Sequence, residues 1–144
     1  MIAKNVVYTD FEGTSRNESF YFNLTEAELF ELQIGTPGGI VNYLKKIAER
    51  QNGVAMMKFA KDFILKSYGE KTPDGRGFMK NEDIRANFEA TNAFSSLFVK
   101  FVTDADWAVE FLLGVIPSDI AAKAREEMAK KVESSQSIEV LKTE

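Results

Sequence analysis

The chemically capable side chains of this sequence are carboxylates, amines and hydroxyls, because the chain contains no histidine and no cysteine. Disulfides, thiolate nucleophiles, Cys/His zinc sites and the imidazole base of a Ser or Cys triad are therefore excluded. Asp74-Gly75-Arg76-Gly77 invites comparison with a calcium loop, but Arg76 stands where an oxygen ligand is needed and the glycine spacing is wrong. Asp104 and Asp106 could form a carboxylate pair. Aspartates are, however, expected near the start of a helix because their charge favours the helix dipole. The sequence predicts no catalytic residue, no metal site and no cofactor.

The bulk composition is that of a soluble globular protein. The chain has 144 residues, of which 44% are hydrophobic and 28% are charged, enough for one domain with its own core. A net charge of -4 and a pI of about 5.0 argue against nucleic-acid or anionic-membrane partners, which attract basic surfaces. Since no apolar run reaches the roughly 20 residues of a membrane span and the start does not resemble a secretory signal, we expect an intracellular protein.

A loop at residues 67–78 stands between an apolar helix and a series of short helical segments. Its turn is Pro73-Asp74-Gly75, in which proline fixes φ, aspartate bonds its own backbone and glycine accepts positive φ. The neutral interpretation is a long ordered connection between two helices. The residues predicted to shape it are Tyr68, Gly69, Asp74, Gly75 and Phe78.

Two alternating stretches, at residues 2–11 and 18–23, flank a glycine-containing turn and predict a β-hairpin. Phe20 and Phe22 fall on one face of the second strand and Tyr21 on the other. A lone two-stranded ribbon is marginal in water, so this hairpin must pack on the helices of the chain or pair edge-to-edge with a neighbouring copy or partner. These three aromatic residues are the candidates for self-association.

The rest of the chain shows helical spacing. Thr25 and Glu28 form a capping box at the first helix, and the segment from Val54 to Tyr68 is apolar over more than one stripe, which is typical of a central helix or of a subunit interface. The predicted fold is α+β, mainly α: an N-terminal β-hairpin followed by a compact bundle of about six short helices. The predicted parts are a globular domain at 1–117 (hairpin 1–24, helices 25–117), a C-terminal helix at 118–133 and a flexible tail at 134–144.

Aromatic residues are in excess, with twelve Phe, four Tyr and one Trp. One interpretation is a core of small helices that needs large side chains to fill it. The other is an adaptable apolar groove, containing methionines, for the helix of another protein. The candidate partner-binding residues are Phe94, Phe98, Phe101, Trp107, Phe111, Met56 and Met57.

Several motifs, taken in order, resemble the tail assembly chaperones of long-tailed bacteriophages. After the hairpin come Phe-Asn-Leu-Thr-Glu-Ala-Glu-Leu at 22–29, Ser-Tyr-Gly-Glu-Lys at 67–71 and Asp-Gly-Arg-Gly-Phe at 74–78. The segment 88–117, with Ala93-Phe94, Thr103-Asp104-Ala105 and the closing Phe-Leu-Leu-Gly-Val-Ile-Pro, is similar too. Arg76-Gly77 departs from the pattern of the family, and these motifs give no match for the chain after Ser118.

This resemblance implies a non-catalytic protein that coats the tape measure protein, keeps it soluble and helps to bring tail tube subunits to it. It further implies action as a homo-oligomer in the host cytoplasm, absence from the finished virion, and often a longer product made by a translational frameshift. Two alternatives remain open, a structural subunit of the tail and a small adaptor that binds one globular partner.

Overall fold

The computed structural model describes the backbone of residues 1–35, 39–49 and 53–143, and the side chains within these ranges except at 33–35, 40 and 131–143. The described chain forms four strands and seven helices, and the α+β, mainly α prediction is confirmed. The strands are β1 Ile2–Thr9, β2 Ser15–Phe22, β3 Tyr68–Lys71 and β4 Phe78–Met79. The helices are α1 Glu26–Gly35, α2 Gly39–Ala48, α3 Val54–Ser67, α4 Glu82–Glu89, α5 Asn92–Thr103, α6 Ala105–Val115 and α7 Ser118–Thr143.

The strands form one antiparallel sheet in the order β1-β2-β3-β4. The N-terminal hairpin is confirmed, and its register pairs Ile2 with Phe22 and Thr9 with Ser15. Strand β3 extends the sheet by pairing with β2 only at Tyr21 and Phe22. The sheet therefore consists of a long two-stranded hairpin, β1 and β2, to which two short strands are added at one end.

The stretch at residues 67–78 differs from the simple helix-to-helix connection expected from the sequence, because it folds back as a second hairpin. Lys71 pairs with Phe78 across it. Between the strands, Asp74 accepts hydrogen bonds from the Thr72 hydroxyl (2.6 Å) and from the N–H of Arg76 (3.0 Å). These bonds, that of Thr72 first, hold the pKa of the Asp74 carboxyl below its ordinary value. Asp74 is thus a turn-forming residue, and Gly75 takes the positive φ of 74° that the turn requires.

The helix starts follow local side-chain chemistry. The Thr25 and Glu28 capping box of α1 is formed, since the Thr25 hydroxyl accepts from the N–H of Glu28 and the Glu28 carboxylate accepts from the N–H of Thr25. Asn81 caps α4 with a single bond, in which its side-chain oxygen accepts from the N–H of Ile84. Asp104 caps α6 by accepting from the N–H of Trp107, so this aspartate has a structural role.

The core is aromatic where the sheet meets the helices. Phe22, Phe63 and Phe111 are fully buried, and the rings of Phe22 and Phe111 meet edge-to-face with centroids 5.1 Å apart. Helix α3 buries Phe59, Phe63 and three aliphatic residues, so its broad apolar surface places it centrally in the core. Most of the aromatic excess of the sequence therefore fills the interior.

Helix α7 begins at Ser118 but does not stop at residue 133, where the sequence analysis ended it. It continues to Thr143, through the stretch that was expected to be a flexible tail. The serine-rich segment at 134–137 lacks glycine and proline. Serine costs a helix only about half a kcal/mol relative to alanine, which weakens a helix without breaking it.

Candidate partner-binding site

A groove of about 700 Å³ lies at the junction between the end of α5 and the start of α6. Among the residues that the structure describes, it is lined by residues 100–106, by Ile47 of α2 and by Met56 and Met57 of α3. Three of the seven residues that the sequence named for partner binding, Phe101 and the two methionines, are thus brought together in one place. The arrangement arises because α3 packs against α5, which places the start of α3 beside the end of α5.

The floor of the groove is apolar and its accessible side is built from methionine. Ile47 and Phe101 are 5% and 4% exposed, whereas Met57 is 49% exposed and Met56 is half-buried. Methionine is unbranched and polarizable, so it adapts to apolar side chains of different shapes. The groove can therefore accept an apolar side chain without a fixed complementary shape.

Charged residues at the edge of the groove are held by structural contacts. The Asp104 carboxylate caps α6 and lies 3.3 Å from the Lys100 amine. Asp106 is exposed in the first turn of α6, where a negative charge favours the helix dipole. These groups surround an apolar floor with polar side chains, as is usual for a protein contact site.

The structure corrects the placement of other candidate partner-binding residues. Phe111 is fully buried and Phe94 is 9% exposed, with its ring 5.7 Å from that of Phe88. These two are core residues, and neither of them lines the groove. The helical spacing of the aromatics indicated one face of a helix, and spacing alone does not distinguish a face turned inward from one turned outward.

Phe98 and Trp107 are half-buried and lie outside the groove. Trp107 stacks on Phe111 with centroids 5.1 Å apart and planes 15° apart, and the Lys4 amine sits 5.3 Å from its ring. A second, smaller groove of about 230 Å³ runs between β1 and α5 beside Trp107. The tryptophan therefore packs on the core while one part of its ring stays accessible.

The predicted self-association residues take different positions. Phe22 is fully buried and the Phe20 ring contacts that of Phe88 at 5.3 Å, so both pack on the chain's own helices. Tyr21 lies on the opposite face of the strand. The Lys71 amine sits over its ring, 4.3 Å from the ring centroid. Because β2 lies between β1 and β3, the strand of these three residues is not at the edge of the sheet. The edge strand on this side is β1.

Lys80 is a charged residue that is held by several contacts. Its amine donates to the Asn23 carbonyl (2.6 Å) and to both oxygens of Glu28 (2.8 and 2.9 Å), with only 12% of its side chain exposed. Burial raises the pKa of Glu28, but the Lys80 amine and the N–H of Thr25 outweigh burial and hold that pKa below its ordinary value. Since these contacts join the connection between β4 and α4 to the end of β2 and to α1, the pair is a structural clamp.

Sequence reasoning missed some surface features. Nothing in the residues around Ile47 indicated that it would form part of the floor of a groove. Phe11, Phe30 and Val54 are 80%, 66% and 86% exposed. The signal for Phe30 was available, because it follows the buried Leu29 directly and adjacent helical residues point about 100° apart.

Within the described ranges, no cluster of three or more carboxylates could hold a metal ion. No described helix combines the length and apolar character that a membrane crossing requires. The accessible features of the described residues include a groove with an apolar floor, an open sheet edge and exposed single apolar residues. They define a small helical protein whose described surface is suited to contact with other proteins.

Comparison with known families agrees with this class. A family model described as phage tail assembly chaperone matches residues 1–144, and the chain belongs to that family. The resemblance drawn from the motifs at 22–29, 67–78 and 88–117 is thereby confirmed. The match also covers the chain after Ser118, for which the motifs gave none. No curated protein and no solved structure matches the chain significantly. The role of this protein therefore lies in the assembly of phage tails.

Proposed function

We propose that this chain binds and solubilises the tape measure protein and helps to recruit tail tube subunits during tail morphogenesis. It does so without catalysis, in the host cytoplasm, and is not part of the mature virion. The family supports the chaperone role, and the observation that carries the proposed binding is the groove in which the accessible Met56 and Met57 lie beside the buried Phe101.

The groove suits a helical client. An amphipathic helix presents apolar side chains at positions i, i+3, i+4 and i+7, and such a helix binds by placing this face in an apolar groove. The exposed Met57 would contact the client first, and the buried Phe101 would form the floor. Many unrelated apolar segments of a long client can be bound in this way, because methionine does not impose one shape.

The test is co-purification of the full chain with helical segments of the tape measure protein. Met57→Asp places a charge on the accessible side of the groove and should weaken client binding at least tenfold with the fold retained. Phe30→Asp is the matched control, because Phe30 is an exposed apolar residue on α1, outside the groove. Equal loss for both variants, or no loss for Met57→Asp, would remove the groove from the proposal.

The recruitment of tail tube subunits and the absence of this chain from virions are tested separately. Tail tube subunits should co-purify with the tape measure protein only when this chain is present. Mass spectrometry of purified virions should find the tape measure protein and the tube protein but not this chain. Stoichiometric amounts of this chain in the particles would instead favour a structural subunit of the tail.

A further inference from the structure

Strand β1 has an open edge. It pairs with β2, and no other strand of the described chain lies beside it. The N–H of Asp10 donates to the carbonyl of Thr14 (2.9 Å) at the next position of the hairpin register. Because backbone polar groups alternate along an antiparallel strand, the even-numbered residues of β1 direct theirs toward β2 and the odd-numbered ones outward. The N–H and C=O groups of Ala3, Asn5 and Val7 therefore point away from the sheet.

A groove lies between this edge and α5. The Asn92 amide at the start of α5 donates to the outward carbonyl of Thr9 (2.8 Å), so the helix begins beside the edge. One wall of the groove of about 230 Å³ is formed by residues 4–7 of β1, and the other by Ser96, Leu97 and Lys100 of α5. An exposed strand edge is a place where an extended peptide of another protein can add one more strand.

The groove is positively charged in an otherwise acidic protein. Of the described residues that line it, Lys4 and Lys100 carry a charge, and both are cationic, although the chain has a net charge of -4. Lys4 lies on the inner face of the sheet, with its amine 5.3 Å from the Trp107 ring. The side chain of Lys100 is 51% exposed. Both amines are thus placed at the side of the groove that faces the helices.

Two carboxylates act on these lysines from outside the groove. Asp104 lies 3.3 Å from the Lys100 amine and also caps α6. Glu110 accepts from Arg125 through both of its oxygens, at 3.0 and 3.1 Å. The hydrogen bond from Arg125, and more weakly the charge of Lys4, holds the pKa of Glu110 below its ordinary value. Since both carboxylates have other partners and neither lines the groove, the groove itself remains cationic.

We propose that β1 binds an extended segment of another protein as a fifth strand of the sheet, and that this segment carries aspartate or glutamate on its inward face. The side chains of an added strand alternate between the two faces of the sheet. The inward ones would enter the groove beside Lys4 and Lys100, and the outward ones would lie next to Val7, which is 66% exposed. The segment therefore needs acidic residues at alternate positions, with apolar residues between them.

A second copy of this chain fits the edge less well than such a segment. Pairing of two β1 edges would bring Lys4 and Lys100 of one copy toward those of the other, and each edge is flanked by its own α5. An inward-pointing charge on an edge strand discourages unselective pairing, and it selects for a strand of opposite charge. This site goes beyond the proposed function and does not rest on it, because the helical client is assigned to the other groove.

Trp107 is the one tryptophan of the chain and lines this groove, so its fluorescence reports on binding there. The probe is an acetylated six-residue peptide of alternating glutamate and valine, titrated into the full chain. It should change the emission until saturation, and its affinity should fall as salt is added. The same peptide with lysine in place of glutamate is the control and should bind at least about tenfold more weakly.

Lys4→Gln should weaken binding of the glutamate peptide roughly threefold, the effect of one exposed ion pair. Lys4 is chosen because Lys100 also lines the groove at the junction of α5 and α6. Lys71→Gln is the matched control, since Lys71 is likewise a strand lysine over an aromatic ring, 4.3 Å from that of Tyr21, and lies outside both grooves. Equal loss in the two variants overturns the proposal.

Hydrogen exchange and N-methylation test whether the peptide binds as a strand. On binding, the amides of Asn5 and Val7 should exchange at least about tenfold more slowly, whereas the amide of Val6, which faces β2, should not change. N-methylation at alternate residues of the peptide should abolish binding for one set of positions and spare it for the other. The reason is that only every second amide of an added strand faces β1.

Absence of binding by the glutamate peptide, or equal binding by the lysine peptide, overturns the proposal. So does slower exchange at Asn5 and Val7 that is produced by a second copy without peptide, or by a helical tape measure segment, since the edge would then belong to that occupant. Met57→Asp should leave binding of the glutamate peptide unchanged, because Met57 lines only the other groove. The two sites can therefore fail independently.

Discussion

The ring of Tyr68 stacks on the ring of Phe88, with centroids 3.9 Å apart and planes 16° apart. Tyr68 opens β3 and Phe88 lies near the end of α4, so this contact fastens the second hairpin to the helical layer. Phe20 and Phe22 of β2 also meet the Phe88 ring, at 5.3 and 5.9 Å. Phe88 is thus the point at which the sheet, α4 and α5 converge.

Replacing Phe88 by alanine should lower the free energy of unfolding by about 3–5 kcal/mol, because a buried ring is lost and a cavity remains. Phe30→Ala, at an exposed position, should change it by no more than about 0.5 kcal/mol. Urea denaturation of both variants provides the measurement. A loss below about 1 kcal/mol at Phe88 would show that the aromatic cluster rearranges to fill the space.

Gly69→Ala should destabilise the protein by about 1–3 kcal/mol through overpacking. A Cβ at this position would lie 2.6 Å from the Phe78 ring and 2.8 Å from the backbone carbonyl of Met79, which cannot rotate away. Gly53→Ala is the control, because no atom of the described residues lies within 4 Å of a Cβ there and its φ is extended. Thermal unfolding should separate the two variants clearly. Similar melting temperatures would mean that β3 and β4 can shift apart at little cost.

Lys80→Met should cost about 1.5–3 kcal/mol at pH 7, because it leaves the Glu28 carboxylate and the Asn23 carbonyl without their charged donor. Lys61→Met breaks a pair whose side chains are 50% and 41% exposed and should cost less than about 1 kcal/mol. Urea titrations of wild type and both variants measure this difference.

The Lys80 clamp also predicts a pH dependence. The pKa of Glu28 is lower in the folded protein than its ordinary value of 4.5, so its stabilising contribution is present above pH 4.5 and is lost as the pH falls through the folded pKa. The difference in stability between wild type and Lys80→Met should therefore shrink below pH 4.5. A difference that stays constant down to pH 3 would show that Glu28 does not carry the effect.

Asp104→Ala should cost about 1 kcal/mol, since the cap of α6 is lost. Asp104→Asn keeps a side-chain oxygen for the N–H of Trp107 and should retain most of this stability. Thermal melts with both variants distinguish capping from the charge pair with Lys100. If asparagine is as damaging as alanine, the negative charge matters more than the cap.

Local chemistry made much of the fold predictable. The capping box of Thr25 and Glu28 and the alternation of residues 2–11 are signals carried by neighbouring residues, and both structures are present. The hairpin of β3 and β4 could not be predicted in the same way. It has only two pairs, at Glu70 with Met79 and Lys71 with Phe78, and it depends on the long-range burial of Tyr68.

The candidate site was predictable in composition but not in position. Met56, Met57 and Phe101 line one groove, whereas Phe94 and Phe111 belong to the core. Which face of α5 or α6 turns inward depends on the neighbouring elements, and one helix alone does not contain that information. The open edge of β1 could be located only after β3 was found on the far side of β2.

The Lys80 clamp has a consequence for folding during synthesis on the ribosome. Its amine reaches the Asn23 carbonyl across 57 residues of sequence. At synthesis rates of about 5–20 residues per second, Lys80 is synthesised roughly 3–11 s after Asn23. During this interval the inner aromatic face of the hairpin lacks its final cover, so a chaperone for other proteins is itself exposed to aggregation while it is being translated.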